Sequence, residues 1–195
     1  MVKKGLYRHY KGNYYLLTGI ATNSETLEKM VIYKALYGKC ETWVRPLKMW
    51  EEKVEGASQN MRFMLLEKAK LEESCGVIIK RKNEGETEYL LLLQKGSKTW
   101  SFPKGHMKKR ETKVQTAIRE LKEETNLDVT KIDSHDYRCV SYRLKNRNVK
   151  CVYLFNAQYS GEIKLLESEI EDFKWVTREE ALKLLPKVGY DKILK

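Results

Sequence analysis

Apolar and β-branched residues form short runs separated by turn-formers in the first third of the chain. The runs at 14–21, 29–36 and 41–46 lie between segments that contain glycine and asparagine. This pattern predicts three short strands joined by turns. A further run at 61–65 is expected to close the same sheet. The pattern therefore predicts a small β-rich, barrel-like domain over residues 1–66.

The hydrophobic pattern changes beyond residue 74, where helical periodicity is mixed with strand-like runs. Residues 75–81 and 88–94 predict one strand pair, residues 137–144 and 150–159 predict a hairpin, and residues 173–176 predict a further strand. Strands mixed with a few helices predict an α+β fold, here an α/β/α sandwich over 74–195. Residues 67–73 are predicted to be the linker between the two domains.

Two helices are predicted from periodicity and from their starting residues. Within 113–125, four apolar residues recur with helical spacing: Val114, Ala117, Ile118 and Leu121. This spacing predicts one apolar stripe. Thr112 with Gln115, and Thr177 with Glu180, have the spacing of capping boxes. They predict helices that start at 113 and 178.

Positive charge is spread over the whole chain. The 38 Lys and Arg exceed the 27 Asp and Glu, which gives a formal charge of +11. Residues 1–62 have 11 basic and 6 acidic residues (+5), and residues 63–195 have 27 and 21 (+6). A spread positive charge favours polyanionic partners such as nucleotides, polyphosphates or RNA, although solubility alone explains it equally well.

The four cysteines lack C-x-x-C spacing, and most of them lie in apolar or β-branched runs. This pattern predicts buried, reduced thiols rather than a zinc cluster or a redox motif. No run is long enough to span a bilayer, and the first residues lack the apolar segment of a signal peptide. We therefore expect a cytoplasmic protein without a membrane partner. The oligomeric state does not follow from the sequence.

Three glutamates fall on one side of the first predicted helix, next to its apolar stripe: Glu120, Glu123 and Glu124. Glu120 and Glu124 are four residues apart, a spacing at which like charges repel. A hard cation such as Mg²⁺ or Mn²⁺ binds oxygen ligands and would relieve this repulsion. The alternative is a solvated helix face on which Arg119 pairs with Glu123.

Residues 105–127 resemble the Nudix box, G-x5-E-x7-R-E-U-x-E-E-x-G-U, in which U is a bulky aliphatic residue. The matching residues are Gly105, Glu111, Arg119, Glu120, Leu121, Glu123, Glu124 and Leu127. Asn126 stands where the family has glycine. Because asparagine tolerates the left-handed conformation that follows a helix, we expect Asn126 to adopt it.

The resemblance implies metal-dependent hydrolysis of a nucleoside diphosphate linked to another group. It implies that Glu120, Glu123 and Glu124 hold the metal, Mg²⁺ or Mn²⁺, and that the backbone carbonyl of Lys104 completes the site. It also implies that Arg119 and Glu111 pair and orient the helix. The general base would be one of the helix glutamates, such as Glu120, or Glu169 further along the chain.

The run WSFPKGH at 100–106 resembles asymmetric diadenosine tetraphosphate hydrolases, and also diphosphoinositol polyphosphate hydrolases and some RNA 5′-pyrophosphate hydrolases. In the first group, residues that match Lys104 and Lys150 contact phosphate. A glutamate lies six residues before a tryptophan in that group, which selects Glu169 over its rivals Glu167 and Glu171. Two tyrosines, Tyr142 and Tyr153, are candidates for base stacking, against the commoner fate of core packing.

The first domain resembles, over about residues 5–66, a short bacterial family of unknown function. Its basic residues Arg8, Lys11, Arg45 and Lys48 are interleaved with Tyr7, Tyr10, Trp43 and Trp50. These groups would either bind nucleic acid or a nucleotide or, as we favour here, fill a small core. Three functions remain as alternatives. They are a dinucleoside polyphosphate hydrolase, an RNA 5′-pyrophosphohydrolase whose first domain binds RNA, and a non-catalytic nucleotide-sensing module.

Overall fold

The computed structural model describes residues 2–56 and 59–194. The chain divides into two compact units. The first comprises the residues up to Glu72 together with Ser141–Cys151, and the second comprises Glu73–Val140 with the residues from Val152 onward.

Five antiparallel strands form the N-terminal sheet in the order β4-β3-β2-β1-β5. They are β1 Gly5–His9, β2 Tyr14–Thr22, β3 Lys29–Ala35, β4 Thr42–Pro46 and β5 Phe63–Leu65, and α1 Leu47–Trp50 follows β4. The predicted strands are confirmed. Strand β1 was not predicted, because its short sequence GLYRH mixes apolar and charged residues and has no strand-like run.

Aromatic rings fill the core of this sheet. The buried cluster comprises Tyr7, Tyr15, Leu17, Val31, Tyr33, Ala35, Trp50 and Phe63. The rings of Trp50 and Phe63 are stacked with centroids 3.8 Å apart. Core packing is therefore confirmed for Tyr7 and Trp50, while Trp43 remains 38% exposed.

Seven strands and two helices make up most of the remaining chain. The strands are β6 Leu71–Asn83, β7 Glu86–Gln94, β8 Thr99–Ser101, β9 Lys104–His106, β10 Asp128–Arg143, β11 Val149–Ser160 and β12 Ile170–Val176. The sheet order is β10-β11-β6-β7-β12, with β8 on β7 and β9 on β6. The helices are α2 Lys113–Thr125 and α3 Arg178–Leu184, and a short 3₁₀ turn spans Tyr190–Lys192. Strand β6 starts at Leu71, inside the segment predicted as linker.

Both predicted capping boxes are present. In α2, the backbone N–H of Gln115 donates to the Thr112 hydroxyl at 3.3 Å, and the Thr112 N–H donates to the Gln115 side chain at 2.8 Å. Thr177 and Glu180 form the same pair of bonds at the start of α3. Asn126 ends α2 with φ 62°, the left-handed conformation expected where the family has glycine.

The buried face of α2 differs from the predicted apolar stripe. Ala117 and Leu121 are fully buried, but Ile118 is 37% exposed. Glu120 and Glu124 are buried in its place. The prediction fails because periodicity assigns polar residues to solvent, whereas here polar partners on other elements take up these carboxylates.

The cysteines fall into two classes. Cys75 and Cys151 are buried thiols outside any disulfide. Cys40 and Cys139 are disulfide-bonded, so the prediction of reduced thiols is wrong for these two. Sequence spacing could not show this, because disulfide formation depends on proximity in the fold. Across the described residues, no helix has the length and apolar character needed to cross a bilayer.

Candidate active site

The carboxylate of Glu120 lies against the backbone of Gly105. A Cβ added to Gly105 would lie 2.1 Å from Cδ of Glu120, far inside van der Waals contact. Gly105 is held in place by strand β9, where it pairs with Cys75 of β6. Only glycine therefore leaves room for this carboxylate, and the sheet fixes the position of one helix glutamate.

Arg119 joins the acidic residues of the box. Its guanidinium makes a bidentate pair with Glu111, from Nε at 2.6 Å and from Nη2 at 2.9 Å. Nη1 donates to Glu120 at 2.6 Å and to Glu123 at 2.8 Å, and Nη2 donates to the carbonyl of His106 at 3.1 Å. The pair of Arg119 and Glu123 expected on a solvated face does form. It is one part of a network that also reaches β9.

Glu111 is held in its ionised form. Besides Arg119, its carboxylate accepts bonds from the Thr116 hydroxyl at 2.7 Å and from the backbone N–H of Lys108 at 3.0 Å. These bonds, led by that of Arg119, lower the pKa of Glu111 to about 2. The bond to Glu111 is also the main cause that raises the pKa of Arg119. Both groups are thus charged at neutral pH, and the loop before α2 is tied to the helix.

Glu124 is the most deeply buried acid of the site, with 2% of its surface exposed. Its Oε2 accepts the backbone N–H of Lys104 at 2.9 Å, and its Oε1 accepts the side-chain amide of Gln94 at 3.3 Å. Burial raises the pKa of Glu124 to about 7, against the opposing effect of Lys104. The same Gln94 amide bonds Ser101 at 3.2 Å.

Sequence reasoning missed Gln94 and Ser101. Both lie on strands that read as ordinary structural segments, and neither belongs to the box. The WSFPKGH run contains Ser101, so this run was the only available signal.

The Lys104 side chain is affected by the same acids. Burial lowers the pKa of its amine, while the charges of Glu124 and Glu120 raise it. The ammonium group of Lys104 is therefore within electrostatic reach of two of the three helix glutamates. The backbone N–H of Lys104, which the sequence did not single out, also donates to Glu124.

The three helix glutamates differ in exposure in a way that fits a hard cation. Glu120 and Glu124 are buried, whereas the Glu123 side chain is 46% exposed, with its Oε1 3.5 Å from the amine of Lys108. The donors are oxygen atoms only, as Mg²⁺ and Mn²⁺ prefer. The close contact with Gly105 fixes the position of the Glu120 carboxylate. A solvated helix face does not require such a fixed position.

Glu169 is exposed and directly precedes β12. Its carbonyl accepts the N–H of Lys95 at 2.8 Å. The next residue, Ile170, is the strand partner of Gln94, which bonds Glu124. The backbone thus places Glu169 beside the strand that reaches the helix glutamates.

The two rivals of Glu169 have other contacts. The Glu171 carboxylate forms an ion pair with Lys98, and the backbone carbonyl of Glu167 accepts the amine of Lys95 at 3.0 Å. The backbone contact does not separate Glu167 from Glu169, whose own carbonyl also accepts from Lys95, so the choice of Glu169 continues to rest on its spacing from Trp175.

The remaining candidates lie on the hairpin strands. Lys150 is partly exposed at the start of β11. Tyr153 is 1% exposed, and its hydroxyl donates to Glu73 at 2.9 Å. Its ring packs beside Tyr137 and Lys113, so the expected alternative of core packing applies to Tyr153. Burial also raises the pKa of Tyr142.

Comparisons with known proteins agree with the fold and identify the family of the second domain. The family model described as "NUDIX domain" matches residues 70–194, and the one described as "Protein of unknown function (DUF1653)" matches residues 5–65. The chain belongs to the Nudix family, and its second domain is a Nudix pyrophosphohydrolase domain.

Three individual similarities illustrate the relationship. The asymmetrical bis(5′-nucleosyl)-tetraphosphatase of Caenorhabditis elegans is 30% identical over 115 residues, which cover 57% of this chain and 83% of that protein. A C. elegans Ap4A hydrolase binary complex superposes with a TM-score of 0.54 at 28% identity, over 63% of this chain and 92% of that one. The m7GpppN-mRNA hydrolase of Saccharomyces cerevisiae is 31% identical over 105 residues, which are 49% of this chain and 10% of that protein.

Proposed function

We propose that this Nudix hydrolase cleaves a phosphoanhydride bond of a dinucleoside polyphosphate with the help of a divalent metal ion. The observation that supports the proposal most directly is the enclosure of the Glu120 carboxylate by Gly105 and Arg119. A structural ion pair on a helix surface does not need such a cradle. A site that must present carboxylate oxygens in a fixed position does.

Glu120, Glu123 and Glu124 would hold Mg²⁺ or Mn²⁺, and the carbonyl of Lys104 is the proposed fourth protein ligand. When bound, such an ion neutralises phosphate charge and lowers the pKa of a coordinated water. The Arg119–Glu111 pair acts as a positioning device, because Arg119 bonds Glu120 and Glu123 and also the carbonyl of His106 in β9.

Three groups of the chain itself would act on the substrate, two lysines and one glutamate. The amine of Lys104 would bind a phosphate oxygen, and Lys150 is proposed for a second phosphate. Glu169, exposed beside the strand that contains Gln94, would take the proton from the attacking water, with Glu120 as the alternative base. A general base contributes about 10²–10⁴-fold to the rate.

The choice of a dinucleoside polyphosphate rests on the WSFPKGH run and on the similarity to asymmetrical tetraphosphatases at 30% identity. Cleavage of a dinucleoside polyphosphate at a phosphoanhydride bond releases two nucleotides and no free phosphate, so the products should be separated and quantified by anion-exchange chromatography. The panel comprises dinucleoside polyphosphates, nucleoside triphosphates and 5′-triphosphate RNA, with and without Mg²⁺. We expect the highest kcat/KM on a dinucleoside tetraphosphate, and no turnover in EDTA.

Charge-removing variants test the site itself. Glu123→Gln and Glu124→Gln should each lower kcat by about 10²-fold or more, as is typical when a transition-state charge partner is lost. Glu162→Gln removes an exposed acid outside the site and should retain wild-type turnover. Near-wild-type rates for both site variants would refute the metal assignment.

The similarity to an mRNA hydrolase supports a second candidate, an RNA 5′-pyrophosphohydrolase. A kcat/KM on 5′-triphosphate RNA far above that on any free nucleotide would favour it. A nucleotide-sensing module would instead bind one panel member tightly and hydrolyse none.

A further inference from the structure

A group of basic and aromatic side chains lies at one side of the N-terminal sheet. We call it the basic-aromatic face, and it comprises His9, Lys11, Trp43, Arg45, Arg62 and Phe63. None of these residues belongs to the Nudix box, and the catalytic proposal does not use them.

Two residues of β4 form the edge of this face. Trp43 pairs in register with Tyr33, and Arg45 pairs with Val31. Since residues directly opposite each other share a face of the sheet, both side chains lie on the side of the aromatic core. Strand β4 is an edge strand, and Trp43 keeps 38% of its surface exposed.

Aromatic contacts support the exposed indole from behind. Its ring is edge-on to Tyr33, with centroids 6.1 Å apart, and to Tyr37, with centroids 6.3 Å apart. Tyr37 in turn shares a 2.8 Å hydrogen bond with the hydroxyl of Tyr15. These contacts hold Trp43 in place and leave part of its surface open to a ligand.

One guanidinium and one imidazole lie against the buried ring of Phe63. The guanidinium carbon of Arg45 lies 5.5 Å from the ring centroid, and the ring of His9 lies 4.8 Å from it. The pKa of His9 is lowered, first by burial and then by the charges of Arg62, Arg45 and Lys11. Three cations are therefore close enough to act on one imidazole.

This charge is only partly compensated. Arg62 pairs with Glu52 at 2.8 Å. Over residues 2–56 and 59–194, no carboxylate pairs with Arg45 or Lys11. Residues 1–62 also have an excess of 5 positive charges, from 11 basic and 6 acidic residues. An anionic partner would supply the missing charge.

We propose that the basic-aromatic face binds single-stranded nucleic acid, with a base stacked on Trp43 and the backbone phosphates beside Arg45 and Lys11. An exposed ring offers a platform for any unpaired base, and adjacent cations follow the phosphate backbone. A duplex keeps its bases stacked internally and cannot use the indole in this way. The inference does not depend on the catalytic proposal.

The test is fluorescence anisotropy with the full chain in EDTA. The probes are 12-nucleotide oligouridylate and oligothymidylate, with 3′-fluorescein and 5′-hydroxyl ends so that they contain no phosphoanhydride. Trp43→Ala should weaken binding between about 5-fold and 150-fold, the range for loss of one base-stacking platform. The two probes distinguish RNA from DNA as the source of the strand.

A matched pair of variants separates a specific contact from general charge. Arg45→Gln and Lys48→Gln each remove one positive charge, and Lys48 is already paired with Glu28 at 3.2 Å. Arg45→Gln should reduce the slope of log Kd against log salt by about 0.7, and Lys48→Gln should leave it unchanged. Thermal melting confirms that each variant is folded.

Three results would overturn the proposal. They are the absence of binding by the wild-type chain, equal affinity for a duplex of the same length, and equal losses for Arg45→Gln and Lys48→Gln. Wild-type affinity of a folded Trp43→Ala variant would also contradict it.

Discussion

Gly105 provides the sharpest test of how the site is built, because its substitution displaces one carboxylate. The added methyl of Gly105→Ala would lie 2.1 Å from Cδ and from one oxygen of Glu120 and 2.2 Å from the other. Ordinary contact begins near 3.4 Å, so the carboxylate must move by more than about 1 Å. The clash is with the end of a side chain and not with backbone, so the carboxylate and not strand β9 should give way, and we expect the variant to fold.

The displacement should strongly reduce activity. It breaks the 2.6 Å bond between Glu120 and Arg119 and moves a proposed metal ligand out of position. Mg²⁺ requires oxygens at about 2.0–2.1 Å in near-ideal geometry. A misplacement of about 1 Å costs about 10²-fold in rate, so kcat/KM should fall by at least that factor.

The assay compares Gly105→Ala with Gly96→Ala at saturating Mg²⁺, with Mn²⁺ binding measured in parallel. Gly96 has open space where its Cβ would be, which makes Gly96→Ala a matched control for loss of glycine. We expect weak Mn²⁺ binding and slow turnover only for Gly105→Ala. If both variants bind Mn²⁺ and turn over like the wild type, the Glu120 carboxylate is not a metal ligand held by this cradle.

Three further predictions concern charge and backbone. Because the folded pKa of Glu124 is about 7, above the ordinary 4.5, the stability of the metal-free chain should fall as pH rises from about 4.5 to above 7. Urea titrations in EDTA should show a loss of unfolding free energy on the order of 3 kcal/mol at pH 8 for the wild type and no such loss for Glu124→Gln. The same pH dependence in both proteins would contradict this prediction. Arg119→Lys cannot form the bidentate pair with Glu111, so kcat should fall about 10-fold or more while KM changes little, and an unchanged kcat would rule out a positioning role. Asn126→Ala puts alanine, whose side chain cannot hydrogen-bond locally, in the left-handed conformation at φ 62°, which should lower the free energy of unfolding by about 1 kcal/mol. Asn126→Gly should lower it much less, and equal losses for the two variants would show that the left-handed conformation is not the cause.

Local features of the chain were predictable because they depend on residues close in sequence. Helix α2 spans 113–125 as predicted, since its capping box and its periodicity lie within that segment. Asn126 adopts the left-handed conformation for the same reason. The box residues were found because their spacing is a property of the sequence itself.

Other features depended on elements far apart in the chain. The burial of Glu124, and with it the raised pKa, comes from Lys104 and Gln94 on other strands. Ile118 matched the apolar periodicity of α2 but is exposed, because periodicity does not show which face of a helix meets the sheet. The sequence by itself thus determined most of the strands, the helices α2 and α3, the family and the acidic cluster. Only the tertiary structure decided which carboxylates lose water and which backbone they lie against, because desolvation and close contact depend on distance in space and not on spacing along the chain.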